Sequence, residues 1–411
     1  MLAGLLLGGG LGAAAHAWAP GPGLEGLVGG LIEPLGQLFL RLLFMLVIPL
    51  VATALPLGVC GLGDLRALGR IGLRTLLYTI AVSAIAVGIG VTLVAAFQPG
   101  AGLSPEARAS LRAGLATPPP AAGGPIGVDL LVRLVPANAV AAMAEGDLLA
   151  VMVFALLIGV GLAAVRSEPA RRLEEALQGL YEVVMWLLGA VIRVAPIGIF
   201  CLVFTMTSRL GFGVMRQLAA YVGVVLLGLA LQLFGVYSIA VRWLGGMSPL
   251  RFFRGVREAI LTAFATSSSA ATLPTALAVA ERELHLPAQV SRFVLTLGAT
   301  ANQNGTALFE GVTVLFLAQF YGVELGTSEQ IAVVAICVLG GIGTAGVPAG
   351  SIPVVMMILG LVGIPVEGIG LILGVDRFLD MCRTTVNVTG DLAAAVVIAK
   401  GEAAGASVGR S

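Results

Sequence analysis

Long apolar runs separated by short arginine-bearing connections organise the first part of the chain. They recur at 1–19, 36–62, 71–97, 147–165, 180–207 and 215–243, close to or above the ~20 residues that carry a helix across about 30 Å of hydrocarbon. Alternation in steps of two, which marks a membrane barrel, is absent from them, so the pattern predicts helices. The first run lacks the basic start and small-residue cleavage site of a signal peptide and reads as a span. Arg66, Arg70 and Arg74 follow the second run, Arg166, Arg171 and Arg172 the fourth, and Arg242, Arg251, Arg254 and Arg257 the sixth. Positive charge gathers on the cytoplasmic side, which predicts cytoplasmic termini and an outer loop at 98–126.

Beyond about residue 245 the pattern changes in kind. FATSSSAATLP (264–274), GATANQNGTALFEG (298–311), GGIGTAGVPAGS (340–351) and DRFLDMCRTTVNVTGD (376–391) set polar and helix-interrupting residues inside apolar sequence. Open backbone cannot face lipid, so such segments are buried in protein or line a wet cavity. The stretch 250–283, cut by Ser267–Ser269 and Pro274, and the stretch 328–363, cut around Gly341–Ser351, each leave two arms too short to span and predict re-entrant hairpins. Paired interruptions of this kind point to a carrier's binding site. Close packing of small residues is the plainer reading of one Ser or Gly cluster; four such segments favour a site.

The fourth segment holds Asp376, Arg377, Asp380, Arg383 and Asp391, five charges in sixteen residues, where charged residues make up only 11% of the chain. At 3.6 residues per turn, Asp376, Asp380, Arg383, Asn387 and Asp391 fall within an arc of roughly 80°. Each ionised group at the bilayer centre costs about 2.5–3.5 kcal/mol, so this face turns inward. Buried ion pairs alone would account for part of it, but two acids beside one arginine leave negative charge seeking a cation.

Composition narrows the class. Hydrophobic residues are 58% of the 411, and the net charge of +1 gives no basic surface for nucleic acid. The four cysteines, Cys60, Cys201, Cys337 and Cys382, and the two histidines lack metal-ligand spacing. An intramembrane hydrolase using Ser267–Ser269 needs a base; no His or Lys lies in the four segments, and Lys400 is the sole lysine. The chain reads as a carrier rather than an enzyme, with a passive channel as the other transport class.

SSSAATLP, NQNGTA, GIGTAGVP and DMCRTTVNVTGD, in that order, resemble the signature segments of the glutamate transporter family, the dicarboxylate/amino acid:cation symporters; LFLRLLFMLVIPL (38–50) extends the likeness. The resemblance implies an all-α polytopic membrane protein with eight transmembrane helices, two re-entrant hairpins and an elevator mechanism. It also implies a homotrimer in the cell's inner (plasma) membrane, with scaffold segments 1–65 and 127–212, mobile segments 66–97 and 213–400, and a tail at 401–411. For the substrate it implies Arg383 on a side-chain carboxylate, Asp380 on an ammonium, contacts from Asn387, Thr384 and Thr306, and closure by Ser269, Val347 and Ser351. An arginine fork suits a carboxylate, and hairpin tips offer N–H groups for the second one. Together Arg383 and Asp380 imply aspartate or glutamate, with a C4-dicarboxylate or a neutral amino acid as the alternative.

The coupling ions implied are sodium and the proton. One sodium site joins Asp391 to the carbonyls of Gly298, Asn302 and Asn387, and a second uses carbonyls of Thr300, Gly341, Ile342 and Thr344; oxygen donors fit a hard cation. At the family's third site the chain departs, with Asn304 in place of an Asp and Thr79 and Val82 in place of a Tyr and a Thr, which implies fewer than three sodium ions. Gln303 stands where the family commonly has Met. Glu310 matches a glutamate assigned as proton carrier in animal relatives, and apolar burial favours the neutral form of such a group.

Overall fold

The structure is a computed structural model that describes residues 1–18, 21–60, 69–103, 135–165, 167–343 and 350–408. Among them every regular element is helical, as the apolar pattern requires. Helices α1 (Leu2–Trp18), α2 (Pro22–Cys60), α3 (Gly69–Phe97), α4 (Leu148–Ala164), α5 (Glu168–Leu210) and α6 (Gly213–Leu244) follow the six apolar runs. α2, α3, α5 and α6 contain stretches long and apolar enough to cross a membrane. Most of the expected outer loop, 104–126, lies outside the described residues.

α5 starts about a dozen residues before its apolar run. Ser167 accepts from the N–H of Ala170 at 3.3 Å, Pro169 sits in the first turn, and Glu168 pairs with Arg171 at 2.9 Å. A capped polar turn therefore extends the helix beyond its apolar span.

The first interrupted stretch forms two arms, α7 (Arg257–Thr266) and α8 (Ser269–Arg282), which pack together. At 1.5 Å per residue α7 reaches only ~15 Å, half a bilayer. Ser267 turns the chain in the left-handed region at φ 51°, and Ser268 caps α8 by accepting from the Ala271 N–H at 3.2 Å. Pro274, expected to share in the interruption, lies inside α8 instead. There it removes one intrahelical bond without ending the helix.

A broken helix follows, α9 (Ala288–Ala301) and α10 (Asn304–Tyr321). The second hairpin then has arms α11 (Thr327–Gly343) and α12 (Ser351–Leu361), whose connection 344–349 lies outside the described residues. The last helix, α13, runs Ile369–Val408.

These elements pack as two groups. α1, α2, α4 and α5 pack on one another; α3, α6, the hairpins and α9 surround α10 and α13. α13 meets α1 and α5 where the groups touch. α10 is buried on every side, with only Gln319 outside the core, and Gln319 is used to bridge to the carbonyl of Val94 at 3.2 Å. Tyr221 on α6 hydrogen-bonds Thr313 on α10 at 2.8 Å and stacks on Phe316.

In the first group, Gly4, Gly8 and Gly12 line the face of α1 that lies against the backbone of α5. A Cβ on Gly8 would come within 2.6 Å of the Phe200 carbonyl oxygen. Small residues four apart let membrane helices approach this closely. Gly8→Leu should therefore lower stability by about 1–3 kcal/mol or more, the usual cost of overpacking; a thermal unfolding assay in detergent showing an unchanged midpoint would contradict this packing.

Candidate functional site

The site grows from the break between α9 and α10. Asn302 (φ −114°, ψ 62°) and Gln303 (φ −96°, ψ 58°) leave helical geometry, so the first N–H groups of α10 lose intrahelical partners. Asn387, reaching over from α13, supplies them. Its Oδ1 accepts from Gly305 N at 2.7 Å and Thr306 N at 3.4 Å, while its Nδ2 donates to Thr306 Oγ1 at 3.0 Å and to Gln303 Oε1. A side chain of one helix thus caps another. Gln303 also donates through Nε2 to the carbonyl of Ala299 at 3.0 Å, and through its backbone N–H to the carbonyl of Gly341 at 3.2 Å. The broken helix is tied to the second hairpin at that point.

One turn beyond Asn387, Asp391 is buried and accepts from Asn302 Nδ2 at 2.8 Å. Gly298 lies so close to this carboxylate that a Cβ there would collide with it. The structure therefore brings Gly298, Asn302, Asn387 and Asp391 together, and the buried Oδ1 of Asn302 has no hydrogen-bond partner among the described residues. One carboxylate with amide and carbonyl oxygens is a donor set for a hard monovalent cation. Of the second proposed set, Thr300 lies in the last turn of α9 and Gly341 and Ile342 in α11, with the Gly341 carbonyl already accepting from Gln303. Thr344 and Val347 lie outside the described residues.

The polar face of α13 is buried: Asp376, Asp380, Arg383, Thr384, Asn387 and Asp391 are all shielded, Arg383 to 1% exposure. Arg383 Nη1 donates to Asp376 Oδ1 at 2.9 Å, Nε donates to Asp380 Oδ1 at 3.1 Å, and the guanidinium lies 4.1 Å over the ring of Phe309. Nη2 is within ion-pair distance of Asp380, 3.0 Å, but off line, so its N–H donors have no hydrogen-bond partner among the described residues. The residues expected to grip opposite ends of a ligand thus grip each other. A lone buried guanidinium is costly, and two acids three and seven residues away on the same helix are its nearest remedy.

Both hairpins contribute to the surroundings. α8 packs on α13, and α12 packs on α10. The hydroxyls of Ser267 and Ser269 at the first tip and of Ser351 at the start of α12 are buried without a hydrogen-bond partner among the described residues. Thr306 is buried at the start of α10 and holds Asn387. Buried hydroxyls are normally bonded, so unspent ones on hairpin arms packed against α10 and α13 are candidates for a polar ligand.

Two further groups lie deeper. Glu310 is fully buried, and neither carboxyl oxygen has a hydrogen-bond partner among the described residues. It lies against α11, where a Cβ on Gly340 would come 3.0 Å from its Oε2. Asn304 accepts from Ser83 Oγ at 2.7 Å and donates to Tyr237 OH at 3.2 Å, with Thr79 and Val82 buried on the same helix as Ser83. Its partners are neutral. Phe309, Tyr237 and Ser83 had no signal in the sequence, because each acts across helices; the role of Asp376 was open to reading from its spacing to Arg383.

Interrupted helices converging on a buried polar cluster are the pattern of a membrane carrier. The profile of the sodium:dicarboxylate symporter family matches residues 1–401, and the chain belongs to that family. It is 35% identical to the proton/sodium-glutamate symport protein of Bacillus subtilis over 90% of this chain and 86% of that protein. To the proton/glutamate-aspartate symporter of Escherichia coli it is 34% identical, over 92% and 86%. To the C4-dicarboxylate transport protein of Rhodospirillum rubrum it is 32% identical, over 91% and 83%.

Truncating Asn387 to Ala strands two buried N–H groups at the start of α10, and each costs about 1–3 kcal/mol when left unpaired. A fall in unfolding midpoint is expected in a thermal denaturation series. An Asn387→Ala protein as stable as the wild type would show that the cross-helix cap is dispensable.

Proposed function

We propose that the protein is a secondary active symporter that takes up aspartate or glutamate with inward movement of sodium, protons or both. The observation that carries this reading is Arg383, buried, held by two acids and still with unspent N–H donors. An incoming side-chain carboxylate offers Arg383 a bidentate partner. The substrate displaces one internal acid, and Asp380, so released, receives the substrate ammonium. Ion pairs are exchanged rather than lost, so no charge stays bare in a low-dielectric site. Thr306, Thr384 and Asn387 border the ligand, while Ser269, Ser351 and Val347 close over it.

Asp391, with the carbonyls of Gly298, Asn302 and Asn387, takes one sodium ion. Carbonyls of Thr300, Gly341, Ile342 and Thr344 take a second. That requires the Gly341 carbonyl to accept an ion beside the Gln303 N–H, which links cation occupancy to the second hairpin. The neutral Asn304 cluster argues against a third ion. Glu310, buried without a hydrogen-bond partner among the described residues, carries the proton.

In this reading α1, α2, α4 and α5 form the fixed scaffold of a homotrimer in the plasma membrane, with cytoplasmic termini. The second group moves past it as an elevator. Arginine-rich connections and the two packing groups support that arrangement. The C4-dicarboxylate alternative draws support from one feature, Arg377 beside Asp380.

Uptake of labelled aspartate into proteoliposomes, under separately imposed sodium and proton gradients, tests the function. Accumulation above equilibrium under at least one inward gradient is expected; saturable uptake that no gradient drives would overturn symport. Glu310→Gln should reduce proton-driven accumulation at least tenfold and flatten the pH dependence of uptake. An unchanged pH profile in that variant would remove Glu310 from the proton pathway.

A further inference from the structure

We infer that the connection between α6 and α7 is a seat for the anionic headgroups of phospholipids. α6 ends on Arg242, Trp243 and Leu244, and a short helix, Pro249–Gly255, leads from there to α7. Along this path Phe252, Val256, Ala259 and Ala263 are buried, at three- and four-residue steps. Leu250, Arg254, Arg257, Leu261 and Phe264 recur at the same spacing and are exposed. One face thus packs on the protein, and the other sets arginines among large apolar side chains, the composition of a segment that lies at a membrane surface. Trp243, exposed over 74% of its surface, stands beside it. An indole in that position suits the headgroup level, where its apolar body and its N–H each find a partner.

The positive charge here is unspent. Arg242, Arg251, Arg254 and Arg257 are exposed, and their guanidinium groups have no hydrogen bond or ion pair among the described residues. Glu258 is the single acid in 242–264. The turn after α6 brings in a further cation: a Cβ on Gly246 would come 2.7 Å from Lys400 Nζ, and Lys400 is exposed. Another arginine-bearing connection differs, since Arg171 and Arg172 are both paired with Glu168. Charge and apolar surface together select the occupant. A soluble acidic partner would leave Trp243, Leu244, Leu250 and Leu261 in water, and a zwitterionic headgroup brings no net charge. An anionic phospholipid satisfies both faces, its phosphate meeting the arginine forks and its chains the apolar side chains. The arginine distribution assigns this connection to the cytoplasmic leaflet, where such lipids gather.

Trp243 can report its own neighbours. In a Trp18→Phe/Trp186→Phe protein it is the sole indole, and lipids with brominated chains quench it on contact. Reconstituted at low salt in mixtures of brominated phosphatidylglycerol and phosphatidylcholine, that protein should prefer phosphatidylglycerol about fivefold or more, since each arginine near an anionic surface adds to the attraction. Adding Arg251→Gln, Arg254→Gln and Arg257→Gln should bring the preference close to none, while lysine at the same three positions should keep most of it, which separates loss of charge from loss of fold. Arg171→Gln with Arg172→Gln should leave it unchanged. Equal quenching by the two lipids, or a preference that survives the three glutamines, would overturn the inference. Relief of the preference by inorganic phosphate at constant ionic strength would also overturn it, by giving the seat to a free anion. So would a changed oligomer size in the triple glutamine variant, by giving the face to a second copy of the chain.

Discussion

A buried arginine at membrane depth has to be neutralised, and much of the second helix group can be understood from that constraint. Arg383 cannot turn to lipid at tolerable cost, and breaking a buried pair costs about 3–5 kcal/mol. Asp376 and Asp380, spaced so that one helix face holds all three, meet the need. Phe309 adds the face of its ring. In the proposed function the arrangement is replaceable, because a ligand bringing its own carboxylate and ammonium offers the same two pairings.

The broken helix solves the second problem, how to present backbone groups in a hydrophobic interior. Asn387 caps α10 from α13, Gln303 ties the break to α11, and Asn302 reaches Asp391. The residues proposed for ions and for substrate therefore share Asn387 and a few hydrogen bonds. Glu310 stands apart from this network, buried with no hydrogen-bond partner among the described residues.

Much of this was legible along the chain, for physical reasons. Apolar length gave α1 to α6, and the arc holding Asp376 to Asp391 followed from helical period alone, since each of those residues is buried. The interruptions at Ser267–Ser268 and Asn302–Gln303 showed as polar residues in apolar runs. Other features were hidden. The early start of α5 depends on the cap at Ser167, a local bond that hydropathy does not see, and Pro274 proved compatible with α8 because a helix can lose one bond. The Gly4–Gly8–Gly12 spacing was there to be read, but only its partner α5 gives it meaning. Mutual pairing of Arg383 with Asp376 and Asp380 was legible from their spacing on one helix face, and the geometry contains both pairs.

The central claim is that Arg383 exchanges its internal acids for a substrate carboxylate. An experimental structure of the protein with aspartate bound would test it most directly. The account predicts that Arg383 leaves at least one of Asp376 and Asp380 and forms two N–H···O bonds to the ligand's side-chain carboxylate, with the ligand ammonium on Asp380. Bound aspartate lying elsewhere, with both internal pairs of Arg383 intact, would contradict it.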